Sequence, residues 1–226
     1  EIIIFLCYSL LMARVIDYIK NTIRGKTIYR ILFQWSLMDA NFFINGKVLD
    51  IGSGGGPSYE KYLPKNIEYI KTDYTQKPGV DKVLDFNAKF DFPDATFDTV
   101  FLFHNLYIAE NPDFTILEIK RVLKDGGYLL ISNPFTANEM PEPHDYVRFS
   151  KEGLDRLIEK SGLKIVKFKR LGDRFTVSAY ALSPLLLIWP IRLVVNTIAL
   201  AFDFIIPNKL KTNYHFPLGY YYVTRK

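Results

Sequence analysis

Glycines and carboxylates follow short apolar segments in the first half of the chain. The apolar segment 47–51 ends in a turn whose glycines are spaced G-x-G-x-G, at Gly52, Gly54 and Gly56. Glycine permits positive φ angles and lets a backbone approach a ligand closely. A buried strand that runs into such a turn is typical of the nucleotide pockets of α/β sheets. We therefore expect these glycines, in the turn that runs from Asp50 through Ser53 to Gly56, to lie close to a ligand.

The spacing of the turn favours a nucleoside over a dinucleotide. A dinucleotide fingerprint requires glycine or alanine where this chain has Pro57. We expect a helix after the turn, as in other strand-turn-helix units. The alternative is an ordinary strand-to-helix connection with no ligand.

Two further carboxylates end the next predicted strands. Asp73 follows segment 67–72 and Asp85 lies in segment 82–86. A carboxylate at the first position can accept both hydroxyl protons of a ribose. The Asp85 carboxylate can accept a hydrogen bond from the amino group of adenine, and Phe86 offers a backbone N–H and a ring face. Tyr74, beside Asp73, is also predicted to bind the cofactor. Taken singly, each carboxylate is equally typical of a solvated or capping residue.

Candidate catalytic groups follow the fourth and fifth predicted strands. His104 comes directly after strand 98–103, where it would border a transferred group. The loop after strand 128–132 carries His144, Asp145, Tyr146 and Arg148. The His144 imidazole could deprotonate a hydroxyl nucleophile, and Arg148 could hold an anionic group of a substrate. Alternatively, this cluster only fixes the loop to the helix that Ser150 caps.

Strand and helix patterns alternate from residue 47 onward. They predict an α/β fold with a Rossmann-like, mostly parallel seven-stranded sheet and helices on both faces. Segment 219–225 is the predicted last strand. We predict an N-terminal helical region over 1–46 that packs on the sheet, and a catalytic domain over 47–226 with an apolar helical insertion at about 175–212.

The predicted insertion between strands six and seven is unusually apolar. Within 183–207 the few strongly polar residues are Arg192, Asn196 and Asp203, whose spacing places them on one helical stripe. A buried hairpin, a lid over the pocket and a membrane-surface element are all compatible with this pattern. Segment 2–13 is also apolar, although it is shorter than the roughly 20 residues that span a bilayer.

Composition limits the possible partners and compartment. The formal net charge is +5 without a single basic block, which argues against nucleic acid and is compatible with an anionic membrane surface. Cys7 is the single cysteine, which fits a reducing, cytoplasmic compartment. The sequence contains no metal-ligand spacing, so we predict no metal.

Taken together, the motifs resemble those of the small-molecule-type class I S-adenosylmethionine-dependent methyltransferases over residues 48–172. The resemblance rests on segments 48–56, 84–86, 92–100 and 118–127 and on Asp73. It implies that Asp50 to Gly56 line the methionine moiety of S-adenosylmethionine, Asp73 its ribose, and Asp85 with Phe86 its adenine. It also implies an antiparallel seventh strand. The His-x-Tyr-x-Arg loop is similar to loops in members that resemble polysaccharide-pathway enzymes.

The resemblance does not identify a catalytic base, because Ile108 stands where many relatives carry a histidine. We predict methyl transfer to an oxygen of a small-molecule, sugar or lipid-linked acceptor, with peripheral membrane contact as an additional property. An NAD-type oxidoreductase and a non-catalytic nucleoside-binding module at a membrane surface are the alternatives. The oligomeric state is not predicted.

Overall fold

The structure is a computed structural model that describes residues 2–141, 144–207 and 214–226, with side chains described from residue 12 onward. The chain divides into two compact units. Residues 1–35 and 171–218 form the helical unit. Residues 36–170 and 219–226 form the sheet unit. The predicted boundary at residue 46 stays a prediction, as does the packing of region 1–46 on the sheet.

The sheet has seven strands in the order β3-β2-β1-β4-β5-β7-β6. Strand β1 pairs in parallel with β2 and β4, β2 with β3, and β4 with β5, whereas β7 is antiparallel to β5. This arrangement confirms the predicted Rossmann-like, mostly parallel sheet with an antiparallel last strand. The strands are β1 Lys47–Ile51, β2 Glu68–Asp73, β3 Lys82–Val83, β4 Phe97–Phe103, β5 Leu123–Pro134, β6 Lys164–Leu171 and β7 Gly219–Arg225.

Six α-helices accompany the sheet in the described residues: α1 Ile2–Ile23, α2 Ile28–Met38, α3 Pro112–Val122, α4 Lys151–Lys160, α5 Arg174–Ala181 and α6 Trp189–Ile205. Asn111 caps α3 through its side chain, which accepts from the Phe114 N–H, and Pro112 occupies the first turn. Ser150 caps α4 in the same way. The residue types of both caps satisfy the free N–H groups of a first helical turn, and the Ser150 cap is as predicted.

The helix expected after the glycine turn is absent. Residues 52–96, all of which the structure describes, contain a single 3₁₀ turn at Glu60–Tyr62 and no α-helix. Only 11 residues separate Gly56 from β2, and Pro57 and Pro64 both fall among them. That length cannot hold a helix together with two connections. The prediction was therefore wrong at this position.

Helix α3 also ends earlier than expected from the glycine pair that follows it in the sequence. The pair Gly126-Gly127 indicates a C-terminal cap, yet the helix stops at Val122 and Leu123 is already extended. Leu123 pairs with Phe97 of β4, so the sheet takes over the chain before the glycines are reached. Gly126, at φ +80°, instead bends the chain where its N–H donates to the Lys226 carbonyl.

A polar network holds segment 90–94 against α3 of the sheet unit. The Arg121 guanidinium donates to the carbonyls of Phe90 and Phe92, each at 2.9 Å, and to Glu118 at 2.8 Å. Glu118 is nearly buried and also accepts the Phe90 N–H at 3.0 Å. The pairing with Arg121 lowers the pKa of Glu118. Removal of Arg121 would leave this carboxylate without its cation.

In the helical unit, Tyr18 of α1 contacts α6, where its hydroxyl bonds the Leu193 carbonyl at 3.2 Å and the Thr197 hydroxyl at 2.9 Å. Asp203 of α6 accepts the N–H groups of Asp173, Phe175 and Thr176 at the start of α5. Among the described residues, none of the helices combines the length and the hydrophobicity that crossing a bilayer requires.

We expect Arg121→Met to lower the free energy of unfolding by about 2–4 kcal/mol, because it removes several bonds and leaves Glu118 unpaired. Urea denaturation measures this loss. The control is Lys160→Met, which breaks the exposed Lys160–Asp113 pair at 2.8 Å and should cost less than about 1 kcal/mol. Equal effects from the two substitutions would contradict the structural role of the Arg121 network.

Candidate active site

The glycine turn is braced by an asparagine from the neighbouring strand end. Asn105, which follows β4, donates its side-chain N–H to the Ile51 carbonyl at 2.7 Å. Gly52 has φ +69°, and a Cβ there would lie 2.4 Å from the Asn105 amide nitrogen. A side chain at position 52 would therefore displace Asn105. Gly52 supports the turn in addition to any contact with a ligand.

The next part of the turn has free space in front of its backbone. A Cβ on Gly56 would meet no atom within 4 Å, and a Cβ on Gly54 would meet only the Asp73 carboxylate, at 3.9 Å. Gly55, in contrast, packs on backbone, since its Cβ would lie 2.4 Å from the Pro78 carbonyl. Ser53 holds the turn to β2 through its N–H, which donates to the Thr72 carbonyl at 2.8 Å.

Asp50 lies beneath this turn and is fully buried. One carboxylate oxygen, Oδ2, accepts the hydroxyls of Tyr59, at 2.8 Å, and of Tyr69. The other oxygen, Oδ1, is buried and has no hydrogen-bond partner among the described residues. Burial raises the pKa of Asp50 to about 7, against the opposing effect of the two tyrosine hydroxyls. An unpaired buried acceptor of this kind fits a cationic ligand group.

Asp73 ends β2 at the same edge of the sheet. Its Oδ1 accepts the Thr75 N–H at 3.1 Å and pairs with Lys77 at 3.0 Å. Burial opposes ionisation, but the bonds from Thr75 and Lys77 prevail and lower the pKa of Asp73. The ionised carboxylate has its Oδ2 nearest the open space at Gly54. This oxygen can accept a ligand hydroxyl.

The structure brings Asp85, Phe86, Tyr74 and His144 into one cavity of about 300 Å³. The cavity is also lined by Asn87, Ile108 and Glu110. Asp85 accepts the Asn87 N–H at 2.9 Å, which fixes the turn after β3. Phe86 is buried and Tyr74 is largely exposed. These residues lie far apart in the sequence, because they come from four different loops, which follow β2, β3, β4 and β5.

His104 stands at the end of β4 with a left-handed backbone, at φ +59°. Its N–H donates to the Ser132 carbonyl of β5 at 2.8 Å. A non-glycine residue in this conformation is uncommon and often belongs to a functional turn. The predicted role of His104 at the transferred group stays a prediction.

The loop after β5 is held by its own ion pair. Arg148 pairs with Asp145, and Asp145 also accepts the Met140 N–H at 2.8 Å. The pairing lowers the pKa of Asp145. The His144 ring stacks on Tyr146 with centroids 5.0 Å apart. The N–H groups of Tyr146 and Val147 bond the Tyr107 carbonyl, which fixes the loop next to the end of β4. The roles of these residues toward a substrate stay predictions.

Residues 49–131 match the family model described as "Methyltransferase domain". The match contains the glycine turn, Asp73, Asp85 and His104. The protein is an S-adenosylmethionine-dependent methyltransferase.

A curated relative supports the same class. The chain is 26% identical over 179 residues to the ubiquinone/menaquinone biosynthesis C-methyltransferase UbiE of Burkholderia mallei, covering 71% of this chain and 67% of the relative. The same values hold for the UbiE protein of Burkholderia thailandensis.

Solved structures share the fold. An S-adenosylmethionine-dependent methyltransferase from Archaeoglobus fulgidus superposes with a TM-score of 0.60 at 20% identity, covering 89% of this chain and 95% of that one. The [4+2]-cyclase SpnF gives 0.54 at 19% identity, covering 84% and 80%. The second comparison shows that this fold also supports a reaction other than methyl transfer.

The residues of the turn fit S-adenosylmethionine. The open backbone at Gly54 and Gly56, the unpaired Asp50 oxygen and the ionised Asp73 match a molecule with an ammonium group and a ribose. Asp50 and the turn would hold the methionine moiety, Asp73 the ribose, and Asp85 with Phe86 the adenine. When bound, this cofactor supplies a methyl group on a positively charged sulfur, which is an electrophile.

Three supporting residues were not predicted from the sequence: Tyr59, Tyr69 and Asn105. Two of them act across a large separation in the chain, since Asn105 reaches Ile51 over 54 residues and Tyr69 reaches Asp50 over 19. Only Tyr59, nine residues after Asp50, lies near enough to the motif that its position could have drawn attention.

We expect Asp73→Asn to weaken S-adenosylmethionine binding by about 10- to 100-fold, because a hydrogen bond to a charged acceptor becomes one to a neutral amide. Isothermal titration calorimetry measures the affinity. Asp81→Asn is the matched control, since Asp81 accepts the Lys71 N–H on the same strand edge and lines none of the described cavities. Equal affinities for the Asp73 variant and wild type would contradict the ribose assignment.

The raised pKa of Asp50 predicts a specific dependence of stability on pH. The folded protein retains a proton that the unfolded chain releases between about pH 4 and about pH 7, so this stabilising contribution is lost as the pH rises through that interval. We expect Asp50→Asn to remove up to about 4 kcal/mol of this variation. Urea denaturation of wild type and variant at several pH values measures the difference. A constant difference across the interval would show that Asp50 ionises normally.

Proposed function

We propose that this methyltransferase transfers the methyl group to a hydroxyl oxygen of a small acceptor, either a sugar or a molecule that carries an apolar tail. The observation that carries the proposal is the shared cavity of Asp85, Phe86 and His144, whose volume is about 300 Å³. This cavity places an imidazole beside the residues assigned to the adenine. An acceptor that enters the remaining space would meet His144.

His144 is the proposed base. It is exposed at the cavity, and its stacking on Tyr146 limits the orientations of the ring. The imidazole would accept the proton of the acceptor hydroxyl, whose oxygen would take the methyl group that S-adenosylmethionine supplies, with release of the neutral thioether. Alignment of the nucleophile with the methyl group supplies much of the remaining rate enhancement. The Asp145–Arg148 pair holds the loop that carries His144.

A carbon acceptor is the second candidate, because the curated relative is a C-methyltransferase of ubiquinone and menaquinone biosynthesis. A phenolic acceptor also loses a proton before a ring carbon attacks, so the same base would serve it. Identity of 26% leaves both acceptor atoms open. The apolar-tailed substrate class is common to both candidates.

The acceptor atom can be determined with S-adenosylmethionine that is ¹³C-labelled in its methyl group. The protein is incubated with aqueous and lipid extracts of its host, and the products are examined by NMR. We expect a methoxyl resonance. A C-methyl resonance would reject the oxygen acceptor and support the second candidate, and the absence of any labelled product from either extract would reject both.

We expect His144→Gln to lower kcat by about 10²- to 10⁴-fold, with the affinity for S-adenosylmethionine unchanged, because a general base contributes a factor of this size. The measurements are steady-state methylation of the labelled acceptor and calorimetry. His215→Gln is the control, because His215 contacts Asp173 in the helical unit. A kcat of the His144 variant that equals that of the control would remove His144 from the mechanism.

A further inference from the structure

Helix α6 presents its apolar side chains to solvent and its polar ones to the interior of the helical unit. Asn196 is only 3% exposed, Arg192 donates to the Leu186 carbonyl at 2.7 Å, and Asp203 caps α5. The opposite face of the helix is 45–69% exposed and consists of Ile191, Val194, Ile198, Phe202 and Ile205. This distribution is the reverse of that of a helix on a water-soluble surface.

Helix α1 and the loop before α6 also expose apolar side chains to solvent. The α1 side chains Met12, Val15, Ile16, Ile19 and Ile23 follow one helical face and are 38–49% exposed, and Leu185, Leu187 and Ile188 in the loop are 61–80% exposed. We call these residues and the exposed face of α6 the apolar surface. Exposed apolar residues in such number on one unit mark an interaction site more often than a solvated face.

The helical unit also carries the whole formal charge excess of the protein. Its sequence contains nine lysines and arginines and four aspartates and glutamates. The sheet unit is therefore formally neutral, although the complete chain has a net charge of +5. An apolar face on a cationic unit matches the anionic headgroups and the acyl chains of a bilayer.

A cavity of about 150 Å³ lies within the helical unit, and the side chains that line it are of types that bind anions. Lys26, Arg192 and Asn196 line it, and no carboxylate does. The Lys26 N–H donates to the Asn21 carbonyl at 2.9 Å, but neither the Lys26 ammonium nor the Asn196 side chain has a hydrogen-bonding or ionic partner in the part of the chain that the structure describes. Asn196 is only 3% exposed, and its amide can bind a ligand that enters the cavity.

The start of α2 contributes to the same cavity. Thr27 and Ile28 line it, and α2 begins at Ile28, so the N–H groups at the start of this helix lie beside the cavity. Helix N-termini favour phosphate groups through these N–H groups and the helix dipole. Gly25, at φ +74°, lies close to the Arg192 Nη1. The cavity therefore combines a lysine, an arginine, an amide and a helix start.

The cavity adjoins the apolar surface in the chain. Ile23 precedes Gly25 by two residues, Leu185 follows Pro184 directly, and Ile191 precedes Arg192. Residues that line the cavity are thus direct neighbours in sequence of exposed apolar residues, most closely in the loop before α6 and at the end of α1.

We propose that the helical unit docks on an anionic phospholipid bilayer. The apolar surface enters the boundary between headgroups and acyl chains, and the cavity of Lys26, Arg192 and Asn196 binds a lipid phosphate. A second copy of the chain is a poorer occupant, because it would bring two units of the same charge together. This inference does not depend on the identity of the methyl acceptor.

Flotation with vesicles tests the docking. The full chain is mixed with phosphatidylcholine vesicles with and without phosphatidylglycerol. We expect binding to the vesicles that contain phosphatidylglycerol, and weaker binding at higher salt. Val194→Glu, on the apolar surface, should reduce vesicle binding by about tenfold or more. Leu117→Glu is the matched control, because Leu117 is 53% exposed on α3 of the sheet unit, and it should change nothing.

The phosphate site is tested by a charge-matched pair. Lys20→Gln removes an exposed charge outside the cavity and should weaken binding by about fivefold. Lys26→Gln should weaken it further, by more than about tenfold, because it also removes a phosphate contact. Equal effects of the two variants would overturn the cavity assignment.

Three results would overturn the membrane proposal. The first is no binding of wild type to either vesicle. The second is an oligomer that Val194→Glu dissociates in light scattering, which would identify a second copy as the occupant. The third is thermal stabilisation by inorganic phosphate that Lys26→Gln abolishes, without vesicle binding, which would assign the cavity to a soluble phosphate.

Discussion

A buried carboxylate holds the glycine turn to the sheet. Asp50 is fully buried at the end of β1 and accepts the hydroxyls of Tyr59, just after the turn, and Tyr69, on β2. Ordinarily a helix after the turn would fix its position, but here the connection to β2 is too short for one. The two tyrosines supply that constraint. The consequence is a carboxyl group whose pKa lies near neutrality.

The parallel sheet determines which residues can act together. Strands β1, β2, β4 and β5 end at one edge, since neighbours among them pair in parallel. The glycine turn, Asp73, His104 and the loop of His144 therefore leave the sheet on the same side. The Tyr107 carbonyl then fixes the His144 loop beside the end of β4. Cofactor and acceptor groups thus come from separate loops on one rigid support.

The two units differ in the properties they expose. The sheet unit contains the methyltransferase domain and is formally neutral, whereas the helical unit carries the net positive charge and the exposed apolar residues. Because the same fold occurs in a cyclase, the fold alone does not fix the reaction. In the function proposed here, the acceptor specificity depends instead on the cavity residues outside the glycine turn, among them Ile108, Glu110 and His144.

The sequence by itself determined the succession of the strands along the chain, the position of the glycine turn and the place of Asp73 at the end of β2, because strand periodicity, glycine and capping residues act over a few neighbouring positions. The order in which the strands lie in the sheet, and the end of β3 at Val83 before Asp85, were decided by the tertiary structure. It did not reveal Tyr59, Tyr69 or Asn105, whose contacts join separate parts of the chain. It also located the polar stripe of α6 without indicating that this stripe faces inward. Periodicity defines the faces of a helix, but only tertiary packing decides which face is buried.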